Sequence, residues 1–126
     1  IDKNGIITAG TSTGGMTNKL KGRIGDSPII GAGTWATPGC GVSGTGHGEF
    51  FIRYNVAKEI CSRHLNGNIS VLEAANNVIS ELKSIDADAG VIVLDGSGNP
   101  AMVFNTPAMA RAYKNSNGDE IILIYK

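Results

Sequence analysis

Three short stretches of the sequence carry residue types that could do chemistry together. Thr11-Ser12-Thr13-Gly14-Gly15 sets three hydroxyls beside two glycines. Hydroxyls donate and accept hydrogen bonds, and glycine lets the backbone come close to a ligand. The same run also reads as a β-edge segment followed by a flexible turn, and composition alone favours that plainer reading. Gly22-Arg23-Ile24-Gly25-Asp26-Ser27-Pro28 places a guanidinium and a carboxylate three positions apart in a glycine-bounded loop. The planar Arg fork suits a carboxylate and Asp suits an ammonium, so the two could grip the zwitterionic end of an amino acid. A local Arg23–Asp26 surface pair is an equal reading, and such pairs are common and weak. Gly44-Thr45-Gly46-His47-Gly48 leads straight into a helical pattern. There the Thr45 hydroxyl and a nearby backbone N–H could stabilise an oxyanion.

Other site chemistries fail on spacing. The glycines of residues 44–48 alternate as G-x-G-x-G, which is not a dinucleotide fingerprint, and no Gly-Lys-Ser/Thr run makes a phosphate loop. His47 and His64 belong to no H-E-x-x-H motif and to no Cys/His cluster of zinc spacing, so no metal site is expected. His64 reads as structural, and His47 takes no assigned role. A Ser-His-Asp triad stays open because triads are not local in sequence, although no G-x-S-x-G elbow occurs.

The elements that must position these residues read, in order, as strand, long glycine-rich loop, strand, helix, helix, strand, strand, short helix, strand. Residues 6–12 form the first strand candidate. Residues 14–41 are dense in Gly, Pro, Thr and Ser, and an unstructured loop of that length is often functional. Val42-Ser43 reads as a short strand. From Glu49, apolar residues Phe50, Tyr54, Ala57 and Cys61 recur at helical spacing, and Asn66-Gly67 supplies a stop. Ser70 and Glu73 have capping-box spacing and open a second helix, with Val71, Ala75, Val78, Ile79 and Leu82 on its buried face. The apolar run 89–94 is a buried strand, joined through the turn formers 95–99 to a strand at 101–104. Pro107 to Tyr113 suits a short helix and Glu120 to Tyr125 a last strand. Hairpins with two consecutive helices packed as one layer make an α+β arrangement, not a doubly wound sheet.

Composition narrows the classes further. The 126 residues suffice for one domain or part of one, and charged residues make up 17% with a formal net charge of zero, which disfavours a nucleic-acid partner. No apolar run approaches the roughly 18 residues of a membrane span. Cys40 and Cys61 form no C-x-x-C pair and too few cysteines for a disulfide framework, so Cys61 reads as a small core residue and a reducing, cytoplasmic compartment is expected. The turn formers Asp2-Lys3-Asn4-Gly5 precede the first strand candidate, and a hairpin turn needs a strand on both sides. That logic predicts a strand upstream of Ile1.

Taken together, residues Thr11 to Lys19, Gly22 to Pro28, Gly31-Ala32-Gly33 and Thr45 to Glu49 resemble, in order and spacing, the plant-type L-asparaginase and isoaspartyl peptidase family. Phe104-Asn105-Thr106, with Met109 following, resembles that family's later substrate-side segment. The resemblance implies a precursor with a four-layer αββα sandwich of N-terminal-nucleophile type, which cleaves itself into α and β subunits. Residues 1–126 would be the β subunit without its first strand, completed by an α subunit, with αβ units pairing into a dimer (a heterotetramer). The new N-terminal Thr of β would be the nucleophile and would lie shortly before Ile1. By the same resemblance, Thr13 hydrogen-bonds that nucleophile, Arg23 holds the substrate α-carboxylate and Asp26 its α-ammonium. Thr45 and Gly46 form the oxyanion hole, and Gly48 offers a carbonyl to the ammonium. The substrates implied are the β-carboxamide of asparagine and β-aspartyl peptide bonds, with no cofactor, no nucleic acid and no membrane. A glycosylasparaginase is the alternative within the family, disfavoured by Thr13-Gly14-Gly15 and Phe104-Asn105-Thr106. A catalytically inactive amino-acid-binding subunit is the alternative if the natural chain starts at Ile1.

Overall fold

The computed structural model describes residues 1–126. An antiparallel sheet of order β1-β2-β3-β4 is built from Thr34–Thr37 (β1), Cys40–Gly46 (β2), Ala89–Asp95 (β3) and Pro100–Phe104 (β4). Helices Gly48–Tyr54 (α1), Val56–Gly67 (α2) and Val71–Lys83 (α3) connect β2 to β3, and strands Ala108–Lys114 (β5) and Glu120–Tyr125 (β6) form a separate two-stranded ribbon.

The register decides which face of the sheet is covered. Val42 pairs with Val93, and Val93 with Ala101; Gly44 pairs with Val91, and Val91 with Val103. These rows alternate with Ser43, Ile92 and Met102, as the period of two in a strand requires. The first rows are buried in one core with Val56, Ile60, Val78, Ile79 and Leu82 of α2 and α3. Ile92, on the other face, is 45% exposed. One face therefore packs on the helix layer while the opposite face, carrying Ser43, stays open.

Helix α3 follows its sequence signals closely, whereas in the first helical stretch Phe51 rather than Phe50 is fully buried and Tyr54 is 48% exposed, so only the Ala57 and Cys61 part of the expected face is buried. The Ser70 side chain accepts a hydrogen bond from the Glu73 N–H, the capping contact expected at that spacing, and all five predicted buried positions of α3 are buried, joined by Ala74. The run predicted as one helix from Glu49 to Asn66 breaks in two at Asn55, which adopts left-handed backbone angles (φ 53°). Asn tolerates that region better than other side-chain-bearing residues, and the first free N–H groups of α2, at Ala57 and Lys58, donate to the Ala32 and Gly31 carbonyls.

Four expectations are corrected. Residues 6–12 form no ladder and no regular element, and Ile7 packs where Gly41 lacks a side chain. The glycine-rich stretch 14–41 contains β1, paired to β2 around the Pro38-Gly39 turn. Pro107 to Tyr113 is not helical but largely strand β5, because pairing with β6 satisfies its backbone and its local helical pattern has no core to face. Cys40 and Cys61 form a disulfide with their Cα atoms 5.6 Å apart, joining the start of β2 to α2. Sequence spacing did not reveal that α2 lies over β2, and the bond removes the argument for a reducing compartment. No helix is long and apolar enough to cross a membrane.

Candidate active site

On the open side of the sheet lies a cleft of about 690 Å³. Its floor comes from Ser43, Thr45 and Gly46 at the end of β2, with Gly90 and Ile92 of the neighbouring β3. The residues ahead of β1 wrap over it and bring Thr13, Lys19, Arg23 and Asp26 to its walls, and Met109 and Ala110 close one side. Thus Thr13, Arg23, Asp26, Thr45 and Gly46, spread over more than thirty positions of the chain, all line one cavity. Gly48 does not line it but stands directly behind the charged pair. A Cβ at that position would be 3.0 Å from Asp26 Oδ1 and 3.3 Å from Arg23 Nη2.

Asp26 is the least ordinary residue of the cleft. It is the one charged residue of the chain that is buried, at 6% exposure, and its Oδ2 has no hydrogen-bond partner. Buried polar groups are nearly always paired, so an orphaned carboxylate oxygen points to a missing cationic or N–H partner. Burial pushes the Asp26 carboxyl above its ordinary range, opposed by its own backbone N–H and by the charge of Arg23. The backbone holds it rigidly: the Asp26 carbonyl accepts from the Ile29 and Gly33 N–H groups at 2.9 and 3.1 Å. A Cβ on Gly33 would meet Asp26 Oδ2 at 2.5 Å, so this site needs glycine for close approach. Three ion pairs form in the chain, at Arg63 with Glu59 and Glu81 and at Lys114 with Glu120, and none joins Arg23 to Asp26. The local-pair reading of Arg23 and Asp26 therefore fails, and both charges face the cleft unpaired by one another.

The hydroxyl stretch is ordered as well. Thr13 Oγ1 accepts from the Gly15 N–H at 2.9 Å. Thr11 Oγ1 donates to the Gly33 carbonyl at 2.9 Å, which leaves Ser43 Oγ as the donor in the 2.7 Å contact between the two hydroxyls. This chain of bonds ties the segment before the cleft both to β2 and to the glycine that holds Asp26. Gly46 ends β2 with φ 147°, and a side chain there would run into the Asp88 carbonyl, so the strand end can be occupied only by glycine. His47 has a structural part: its N–H donates to Asp88 O at 2.9 Å and its Nδ1 accepts from Asp88 N at 3.2 Å. His64 contacts the Ile69 carbonyl at 2.6 Å.

Several cleft residues carry no signal of their own in the sequence. Ser43 is one, although its period-two relation to Thr45 on β2 puts both on one face. Lys19, at the end of the hydroxyl stretch, is another; its Nζ donates to the Gly14 carbonyl. Asn105 lies in the predicted substrate-side segment, yet its side chain donates to Ala87 O and accepts from Ala89 N, each at 2.8 Å, bracing the start of β3. No cluster of three or more His, Cys, Asp and Glu side chains converges to hold a metal ion.

Residues 1–124 match the family profile described as asparaginase. The chain is 44% identical over its whole length to a putative isoaspartyl peptidase/L-asparaginase of Dictyostelium discoideum, of which it covers 39%. It is 43% identical, again over its whole length, to an isoaspartyl peptidase of Escherichia coli, of which it covers 40%. Over 90% of its length it is 41% identical to a plant-type L-asparaginase of Pyrococcus horikoshii, covering 38% of that protein. The chain thus spans about two fifths of the length of the curated relatives it matches.

Proposed function

The chain belongs to the asparaginase family, and from that premise we propose that the whole protein is an amidohydrolase cleaving the β-carboxamide of L-asparagine and β-aspartyl peptide bonds. In this reading Arg23 takes the substrate α-carboxylate and Asp26, with the Gly48 carbonyl, its α-ammonium. The amino-acid head is then fixed, and the side-chain carbonyl reaches Thr45 and Gly46 at the end of β2. A threonine that precedes residue 1 in the precursor is the nucleophile, with its own free amine as base and the Thr13 hydroxyl as its hydrogen-bond partner. Attack forms a β-aspartyl ester; the Thr45 hydroxyl and the Gly46 N–H stabilise the oxyanion. The leaving nitrogen takes the proton from the base and departs as ammonia or an amino acid, and water then hydrolyses the ester.

Residues 1–126 serve, on this proposal, as the β subunit of a sandwich-type domain, completed by an α subunit from the same precursor, with αβ units pairing further. The uncovered face of the sheet, with Ile92 45% exposed, supports a second sheet stacked there. The single observation that carries the functional reading is the buried Asp26 carboxylate with an unpartnered Oδ2, set beside Arg23 without an ion pair between them. A substrate ammonium in the cleft would supply the counter-charge that this carboxylate lacks.

The test is hydrolysis by the whole protein of L-asparagine, a β-aspartyl dipeptide and a glycosylated asparagine. The first two are expected to be cleaved, and both activities are expected to be lost in Arg23→Ala. A whole protein inert on both, or an Arg23→Ala variant with near-normal kcat and KM, overturns the assignment; cleavage of the glycosylated substrate alone replaces it with a glycosylasparaginase.

A further inference from the structure

The cleft carries one charge that the reading above leaves unused. Its ionisable lining consists of Lys19, Arg23 and Asp26, two cations and one anion. L-Asparagine brings one carboxylate and one ammonium, and so answers Arg23 and Asp26 alone. A β-aspartyl dipeptide brings a second carboxylate, at the C-terminus of the departing residue. We propose that Lys19 is a specificity-determining residue that receives this second carboxylate and biases the site toward isoaspartyl dipeptides over asparagine.

Lys19 is suited to the task by its surroundings. Its ammonium leans over the Gly14-Gly15 turn and donates to the Gly14 carbonyl, on the wall that also carries Thr13. A Cβ on Gly15 would stand 2.6 Å from Nζ, so the bare glycine is what lets the ammonium lie there. Lys19 makes no ion pair with any carboxylate of the chain. An ammonium has three donors, and one backbone carbonyl occupies only one of them. The side chain is solvent-exposed, so the pairing acts at the rim of the cleft and its effect is a modest factor in selectivity.

The inference rests on the proposed placement of the α-carboxylate and ammonium, and the experiment separates the two. The whole protein is assayed with three substrates: a β-aspartyl dipeptide, the same dipeptide with its C-terminal carboxylate converted to an amide, and L-asparagine. The wild type is expected to favour the free carboxylate over the amide by about 1.5- to 5-fold in kcat/KM, the range of a rim ion pair. Lys19→Gln is expected to erase that preference, Lys19→Arg to keep it, and Lys19→Glu to reverse it. The ratio of dipeptide to asparagine kcat/KM should fall with it. Equal losses on all three substrates in Lys19→Gln would mean that Lys19 only braces the Gly14-Gly15 turn, and an unchanged carboxylate preference in both Lys19→Gln and Lys19→Glu would equally overturn the proposal. Failure of the underlying reading shows up elsewhere, as activity that survives Arg23→Ala.

Discussion

Replacing Asp26 by Asn separates what the buried carboxylate does for function from what it does to stability. The change keeps shape and volume and removes only the charge. Burial raises the Asp26 carboxyl above its ordinary 3.8, so the substrate-free folded protein holds this proton more tightly than the unfolded chain does. Stability then falls as pH rises from about 3.8 through the raised folded value, and stays lowered at neutral pH. An unsatisfied buried polar group costs roughly 1–3 kcal/mol, and more when charged. Asn cannot fully satisfy the same position, so we expect a gain of about 1 kcal/mol at pH 7, a rise of roughly 1–2 °C in Tm for a protein of the relatives' size. The gap between variant and wild type should close as pH falls below 3.8, where Asp26 is protonated in both states. Catalysis should move the opposite way. Losing the charged partner of the substrate ammonium costs about 2–5 kcal/mol, or roughly 30- to 5,000-fold in kcat/KM. Thermal melts across pH, paired with β-aspartyl dipeptide hydrolysis, read both quantities on the whole protein. A variant that loses stability at pH 7, or keeps a constant stability gap down to acid pH, would show that Oδ2 has a cationic partner in the resting protein and would refute the argument.

The other expectations are simpler. Thr45→Ala should lower kcat by about 100- to 1,000-fold with little change in KM, as loss of an oxyanion donor does; a matching rise in KM instead would place Thr45 in ground-state binding. Gly33→Ala should abolish activity, because its Cβ would occupy the space 2.5 Å from Asp26 Oδ2, and near-normal turnover in that variant would show that the loop can move aside. Removing the Cys40–Cys61 bond, which closes a sequence separation of 21 residues, should cost about 3 kcal/mol in a denaturant titration of oxidised wild type against the double Ala variant. Ser70→Ala should cost about 1 kcal/mol through the lost cap of α3, and a change near zero would mean that water replaces the hydroxyl at Glu73 N–H.

Local chemistry was legible where it depends on neighbours in sequence. The capping pair Ser70 and Glu73, the apolar spacing of α3, the β-branched run of β3 and the turn before β4 were all readable from the residues alone, because helix and strand periods are short-range properties. The three chemical stretches were readable as residue types, and their joint order and spacing pointed to a family although each alone was ambiguous. Asn55 split a helix that the apolar spacing ran together, since the pattern records which face is buried and not a single left-handed residue. Residues 107–113 became strand because the next strand, β6, pairs back on them and satisfies their backbone, a pairing that helical spacing does not record.

What the sequence could not decide is what long-range packing creates. That Cys40 meets Cys61 depends on α2 crossing the start of β2. That Arg23 and Asp26 stand together against the bare backbone of Gly48 depends on a helix start coming up behind a loop more than twenty positions earlier in the chain. The sequence by itself determined the reactive groups, their order and the elements that carry them. Only the tertiary structure decided that the Asp26 carboxylate would be buried without a partner, since desolvation is set by every atom that crowds around a group and not by the residues beside it in the chain.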